Sequence, residues 1–362
     1  MQHDDLPITH VVGARPNFMK AGPVIDALAA LGLPQRLVHT GQHYDERMSA
    51  VFFDQLGLPS PDIDLGVGSG SHAEQTAALL VGLEAAVLEH PPRALVVYGD
   101  VNSTLAAALV GAKLLVPVVH VEAGLRSFDD TMPEEVNRRL TDALSDLLLV
   151  TSPEALAHLA HEGRPADRMA LVGNTMIDTL VRNLDRMDPG PMRAELGLPQ
   201  RYAVATLHRP ANVDTPEAAA AVTRAVHGIS AQLPLVIPLH PRGRAMLAEA
   251  GLEDTDRTRL LDPLGYLEFL SLVRGAALVL TDSGGVQEET TILDVPCLTM
   301  RPNTERPITV THGTNRLVTP EQAPEIAAKV LNGSLRAPSQ RPPLWDGASG
   351  PRCAALIAAR YA

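Results

Sequence analysis

The stretch LVLTDSGGVQEET, Leu278 to Thr290, sets the pattern from which the fold is read. Its first four residues form an apolar run without alternation, as in a strand buried on both faces. Asp282-Ser-Gly-Gly285 interrupts that run, and a helix follows. A strand that turns directly into a helix is half of a β-α-β unit, so the stretch argues a parallel sheet covered by helices.

The same alternation runs through all 362 residues. Strands are expected at 8–12, 36–39, 94–98, 116–121, 147–150 and 169–172. After a break they resume at 202–207, 235–239, 259–261, 278–281, 297–300 and 316–318. Periodic segments at 73–88, 104–113, 134–144 and 216–231 predict helices between them. Twelve strands are many for one sheet, and the segment NLDRMDPGPMRAELGLPQ, 183–200, is rich in proline, glycine and charge. It is taken as the seam between two Rossmann-like, doubly wound α/β domains, 1–182 and 183–345. A last segment, 346–362, is expected to pack back on the first domain.

Composition narrows the function. A hydrophobic share of 45% with 20% charged residues is that of a soluble globular chain. The formal charge of −12 argues against a general nucleic-acid or anionic-membrane surface. It leaves room for a small anionic ligand held by a few cations. Lysine stands only at 20, 113 and 329, so arginine supplies most of the positive charge. Cys297 and Cys353 cannot build a disulfide framework and form no C-x-x-C pair. The start MQHDDLPITH lacks a basic, apolar leader, and no apolar stretch approaches the roughly 20 residues of a membrane span. A cytoplasmic protein is expected.

In open parallel sheets ligands bind beyond the carboxyl ends of the strands. The residues there are Gly13-Ala-Arg15, Gly41-Gln-His43, Gly99-Asp100, Glu122-Ala-Gly124, His208-Arg209, His240-Pro-Arg242 and Asp282-Ser-Gly-Gly285. So many polar strand ends predict one large site between the halves. At DSGGVQEET the glycines and helix start suit a phosphate; alternatively Asp282 or Ser283 is only an N-cap, with Glu289 on an exposed face. VGARPNFMK places Arg15 and Lys20 beside another helix start. Neither is a Walker A loop or a G-x-G-x-x-G fingerprint. In GVGSGSHAEQ, Ser71 with Glu74 fits a capping box. His158 and His161 suit the negative end of a helix dipole.

HVEAGLRSFDDTMPEE, His120 to Glu135, sets five carboxylates just past a strand. They are metal ligands, a solvated loop, or the proton-handling groups of an enzyme. No H-E-x-x-H, D-x-D or Cys/His cluster supports a metal, and none is expected.

Taken together, GARP, GQH, YGDVNSTLA, HVEAGLRS, MPEEVNR, GNTMIDTL, LHRPANVD, TDSGGVQEE and MRPNTERPITVTHGTNRLV occur in the order found in one family. The chain resembles the non-hydrolysing UDP-N-acetylglucosamine 2-epimerases along almost its whole length. The resemblance implies a glycosyltransferase-B-type fold with the active site in the interdomain cleft, a homodimer, a UDP-sugar substrate and no cofactor. It also implies interconversion of UDP-GlcNAc and UDP-ManNAc through anti elimination of UDP to 2-acetamidoglucal and re-addition.

By motif, Asp100, Glu122 and Glu134 match the family's catalytic carboxylates, and His208 its active-site histidine. Arg15, Lys20, Ser283, Gly284, Gly285, Glu289 and Arg306 match residues that hold UDP, and Phe269 a residue at the uracil pocket. Gln42 and His43 match part of a segment that holds an allosteric UDP-GlcNAc in certain bacterial members, although Tyr44-Asp45 differ. GARPNFMK replaces the commoner GTRPE start, and Leu264 stands where some members have glutamine. On this assignment Asp129 and Asp130 are solvated loop residues and Glu135 belongs to a helix N-terminus.

The chemistry is consistent with those groups. C2–H of an N-acetylhexosamine has no adjacent carbonyl, so loss of UDP from C1 must first build an oxocarbenium-like centre. Cations and helix donors stabilise the departing diphosphate. Carboxylates stabilise the sugar cation and move the C2 proton. A hydrolysing epimerase, a B-type-fold glycosyltransferase, a 2-epimerase of a UDP-diacetamido-uronic acid and an inactive nucleotide-sugar sensor are the competing readings.

Overall fold

The computed structural model describes residues 6–41, 57–239, 241–338 and 340–362; Gln42, His43 and His240 lie outside them. The chain divides into two compact units, Met1–Arg182 with Pro343–Ala362, and Asn183–Pro342.

The first unit is built on β1 (Ile8–Val12), β2 (Gln35–His39), β3 (Ile63–Asp64), β4 (Ala94–Tyr98), β5 (Val118–Ala123), β6 (Leu147–Val150) and β7 (Met169–Leu171). Their order is β3-β2-β1-β4-β5-β6-β7, with every neighbouring pair parallel. All residues of β1, β4 and β5 are buried, as a sheet covered on both faces requires. Helix His72–Glu89 contributes Leu79, Leu83 and Val87 to the core against Leu95 and Val97. Full burial of such a side chain stabilises by about 1.5–3 kcal/mol. The capping box forms: Ser71 Oγ accepts from Glu74 N–H, and Glu74 accepts from Ser71 N–H.

The second unit carries β8 (Ala203–Thr206), β9 (Leu235–Pro238), β10 (Thr258–Leu261), β11 (Leu278–Thr281), β12 (Cys297–Thr299) and β13 (Asn315–Leu317). Their order is β10-β9-β8-β11-β12-β13, again all parallel. The seam residues belong to this unit. Arg274 Nη1 donates to the carbonyls of Leu184 and Met187 at 2.6 and 2.8 Å, and helix Pro189–Glu195 packs on helix Tyr266–Gly275.

Three details depart from the sequence reading. A thirteenth strand, β3, exists at the edge of the first sheet; at two residues it is too short to show a period. β5 starts at Val118 rather than 116, because Pro117 lacks an N–H for the ladder, and it continues through the polar Glu122. Trp345, placed by sequence with the second domain, belongs to the first unit: its indole is buried and donates to Thr151 O at 2.9 Å. Helix Ser349–Tyr361 then lies against helix Arg15–Ala30 of the same unit.

In each sheet the chain winds outward on one side and then crosses to the other. The reversals fall between β1 and β4, and between β8 and β11. Crevices at such switch points are where open α/β sheets bind ligands.

Candidate active site

At the switch point of the first unit, β4 ends in Gly99, whose φ is +64°. A Cβ there would lie 2.8 Å from Lys20 Nζ and 3.7 Å from Glu122 Oε1, so both the conformation and the space call for glycine. Lys20 Nζ donates to Glu122 Oε1 at 2.6 Å, and both side chains are buried. Lys20, matched by resemblance to UDP, thus lies on a candidate catalytic carboxylate.

Glu122 itself has φ +76°, and the register of β5 against β6 skips from Val121 to Ala123. Left-handed backbone at a non-glycine residue costs of order 1–3 kcal/mol and persists only where its surroundings impose it. Bulges beside functional sites redirect a side chain. Here the bulge sets the carboxylate of Glu122 against Lys20.

Asp100 follows Gly99 and is half-buried. Its carboxylate accepts from Arg138 Nη1, and its carbonyl accepts from Asn137 Nδ2 at 2.9 Å. Both partners lie on helix Pro133–Leu144, whose first turn carries Glu134, half-buried, and Glu135, buried. Arg138 also donates through Nη2 to Glu135 Oε2 at 2.6 Å. Glu135 further accepts the Ser127 N–H and hydroxyl, both at 2.9 Å, and the Phe128 N–H at 3.1 Å. Burial opposes its ionisation, but the Ser127 amide and Arg138 outweigh it and hold the carboxyl below its ordinary range.

Glu135 stands in the first turn of that helix, as expected, and is also the buried anchor of the Ser127 loop. Asp129 caps its own loop by accepting from the Thr131 N–H and hydroxyl, and Asp130 pairs with Arg139 on the exposed surface.

In the second unit β8 and β11 end side by side, with the Thr206 and Thr281 hydroxyls 2.8 Å apart. Asp282, fully buried, accepts from the backbone N–H groups of His208 and Arg209 at 3.1 and 2.9 Å and from Asn212 Nδ2 at 3.0 Å. His208 Nδ1 lies 3.0 Å from Asp282 Oδ1, with the ring 40% exposed. Burial would raise the Asp282 pKa, but His208 and Asn212 hold it low. Asp282 is thus the brace of the His208 loop.

Ser283 occupies the N-cap of helix Gly284–Leu293 without a side-chain cap bond. A Cβ on Gly284 would meet Arg306 Nη1 at 2.6 Å and Glu305 Oε1 at 2.8 Å. Gly285 is half-buried in the same first turn. Arg306 Nε lies 2.8 Å from Glu288 Oε1, and its Nη1 pairs with Glu305, which Arg301 Nη2 also reaches at 2.6 Å. Glu289 is buried rather than on an exposed face. Burial first, and then the charge of Glu288, push its carboxyl up to about 8, with the Tyr266 hydroxyl acting in the opposite sense. Phe269 is half-buried on helix Tyr266–Gly275, which packs on helix Gly284–Leu293. Arg15 opens helix Arg15–Ala30.

The structure thus gathers Asp100, Glu122, Lys20 and the helix of Glu134 at one switch point. His208, Ser283, Gly284 and Arg306 stand at the other. Arg138 and Glu305 were given no role from sequence. For Arg138 the signal was its i, i+3 spacing from Glu135. Among the described residues no group of three His, Cys, Asp or Glu is placed to hold a metal ion, and no helix is long and apolar enough to cross a membrane.

Two all-parallel sheets with these charged strand ends define an α/β protein of the glycosyltransferase-B type. The family model described as UDP-N-acetylglucosamine 2-epimerase matches residues 27–358. The UDP-N-acetylglucosamine 2-epimerase of Methanocaldococcus jannaschii is 39% identical, covering 97% of this chain and 99% of its own length. Its crystal structure in complex with UDP-GlcNAc and UDP gives a TM-score of 0.89 at 38% identity, over 98% of this chain and 100% of that one. A UDP-2,3-diacetamido-2,3-dideoxy-D-glucuronate 2-epimerase of Pseudomonas aeruginosa is 42% identical over 86% of this chain and 88% of its own length. The chain belongs to the UDP-N-acetylglucosamine 2-epimerase family, a family of isomerases.

Proposed function

We propose that the protein interconverts UDP-GlcNAc and UDP-ManNAc. The C1–O bond breaks first and leaves its electron pair on UDP. A carboxylate then takes the C2 proton, giving 2-acetamidoglucal. A proton returns to C2 from the opposite face, and UDP adds back at C1. Asp100, Glu122 and Glu134 move protons and stabilise the cationic ring, while His208 contacts or protonates the leaving phosphate. Arg15, Lys20, Phe269, Ser283, Gly284, Gly285, Glu289 and Arg306 hold UDP.

The observation that carries this reading is the pair Asp100 and Glu122. They stand at the ends of adjacent strands, each fastened to its own cation, Arg138 and Lys20. A base and an acid that serve two faces of one carbon need such fixed, separate positions. The Ser283-Gly-Gly turn opens helix Gly284–Leu293, whose start and dipole suit the diphosphate.

Incubation with UDP-GlcNAc in D2O, followed by NMR at C1 and C2, tests it. Deuterium at C2 with UDP-ManNAc accumulating is expected; free ManNAc would mean hydrolysis, and neither exchange nor turnover would reject the substrate. The 42% identity to the Pseudomonas aeruginosa enzyme favours one second reading, epimerisation at C2 of a UDP-2,3-diacetamido-uronic acid, for which the same assay with that substrate decides. On either reading the protein works in the cytoplasm as a homodimer that supplies a sugar nucleotide for cell-surface polysaccharide. The exposed apolar side chains of Phe128, Val136 and Leu140 support a partner surface.

A further inference from the structure

β5 carries a histidine in its middle, in the run Val118-Val-His-Val-Glu-Ala123, and every residue of that strand is buried. A polar ring in such a place must be hydrogen-bonded at both nitrogens or destabilise the sheet. His120 meets that condition with two partners of different kinds. Its Nε2 lies 2.8 Å from the Gly99 carbonyl, which can only accept, so Nε2 carries hydrogen. Its Nδ1 lies 2.7 Å from Asp142 Oδ1.

Asp142 is fully buried on helix Pro133–Leu144. Its second oxygen accepts the Gly124 N–H at 3.1 Å and lies 2.7 Å from Arg126 Nη1. Arg126 is in turn clamped by Glu162, through Nε at 2.8 Å and Nη2 at 2.7 Å. Burial opposes the charge on Asp142, but His120 and Arg126 hold its carboxyl below the ordinary range.

The two backbone groups that this pair grips are Gly99 and Gly124. Gly99 immediately precedes Asp100. Gly124 follows the bulge in which Glu122 holds φ +76°. The β4–β5 register ends at Tyr98 and Val121; one further backbone bond, Gly99 N–H to Val121 O at 3.0 Å, follows it, and the Gly99 carbonyl and the Gly124 N–H are then taken by His120 and Asp142. We propose that His120 and Asp142 form one positioning unit, which fixes the backbone at Asp100 and Glu122 together and so sets the distance between the two acids. The pair touches no reacting atom; it acts through the turn and the bulge. This inference rests on the reading of Asp100 and Glu122 as the acids of the reaction.

The consequence is specific. A misplacement of about 1 Å at a reacting group costs on the order of 100-fold in rate, whereas binding of the remote nucleotide does not depend on it. Asp142→Asn keeps the size of the side chain and removes the charge that orders His120, Gly124 and Arg126. His120→Gln keeps one amide donor and cannot span both ends.

The experiment measures kcat per UDP-binding site, counting sites by calorimetric titration with UDP, for the intact chain and for Asp142→Asn, His120→Gln and the double variant. Each single variant should lose roughly 10- to 100-fold in kcat per site. KM for the UDP-sugar and Kd for UDP should stay within about twofold, since ground-state binding is untouched. The double variant should lose no more than the worse single, as groups acting as a unit do.

A loss explained by fewer UDP sites at unchanged kcat per site would show general unfolding and overturn the proposal. So would unchanged kcat, or losses that multiply in the double variant. If Asp142→Asn yields no folded protein, the His120→Gln split between kcat and KM decides alone. Absence of C2 exchange in the unaltered protein, with UDP-GlcNAc and with the diacetamido-uronic acid alike, would instead reject the functional reading beneath the proposal.

Discussion

The two switch points use charge in opposite ways. In the first unit the acids are held by donors: Glu122 by Lys20, Asp100 and Glu135 by the two arms of Arg138, and Asp142 by His120 and Arg126. Donors outweigh burial there, so Glu135 and Asp142 are held ionised. In the second unit the acids crowd one another. Glu288 and Glu305 share Arg306, and Glu289, next to Glu288, is pushed up to about 8. The first arrangement suits groups that must act as defined bases and acids at one carbon. The second keeps cations close to a glycine turn, where an arriving diphosphate can compete with the carboxylates for them.

The sharpest way to break this division is to neutralise an acid of the first unit. Asp100→Asn and Glu122→Gln should each lower kcat by on the order of 100- to 10,000-fold, the usual contribution of a positioned acid or base. C2 deuterium exchange should vanish in parallel while UDP still binds. Full activity in either variant would remove that residue from the mechanism, and loss of UDP binding would show that the acid also serves the nucleotide. Next in size is Gly284→Ala. Its methyl would stand 2.6 Å from Arg306 Nη1 and 2.8 Å from Glu305 Oε1, and such overpacking costs about 1–3 kcal/mol. UDP affinity measured by calorimetry should then fall by roughly tenfold or more, with kcat at saturating substrate much less affected.

How much of this contrast was visible beforehand follows from what each residue's neighbours are. Strand and helix alternation exposes its period directly, and so the parallel sheets were legible, as was the capping box at Ser71. Asp100, Glu122 and Ser283 were legible because they sit just past apolar runs, where any α/β sheet places its ligands. Pairings across the sheet were not. Lys20 and Glu122 are 102 residues apart, and Arg138 and Asp100 are 38, so no periodicity joins them. The bulge at Glu122 is a property of β5 against β6 and leaves no trace in β5 alone. Asp282 could be seen as an N-cap, since its true partners, His208, Arg209 and Asn212, come from another strand end. His120 carried a usable signal, because a polar residue inside an unbroken apolar strand demands partners.

A third test reads the contrast as pH dependence. Glu289 has a folded pKa of about 8 against an ordinary 4.5, so between those values the folded protein binds a proton more tightly than the unfolded chain. Stability from this group is present below the lower value and falls as pH rises through the window. Glu135 and Asp142 have the opposite sign: their folded pKa values are depressed. Their contribution is present at neutral pH and is lost as pH falls through the folded values. Glu289→Gln should therefore flatten the decline of the urea midpoint between pH 5 and about 8, leaving the acid limb unchanged. A variant with the same neutral-range slope as the parent would refute the raised value at Glu289.

The smallest expected effect probes how redundant the first arrangement is. Glu135 accepts from the Ser127 hydroxyl, from two backbone N–H groups and from Arg138. Removing the hydroxyl with Ser127→Ala takes one donor and leaves the rest, so the carboxylate stays satisfied and ionised. A single intramolecular hydrogen bond contributes about 1 kcal/mol net, and Ser127→Ala should cost about that in a urea titration, with C2 exchange nearly intact. A much larger loss would mean that Glu135 depends on that one donor and that the cations and amides around it are not interchangeable supports. In that case the first unit would be as finely balanced as the second, where Glu288 and Glu305 already compete for Arg306.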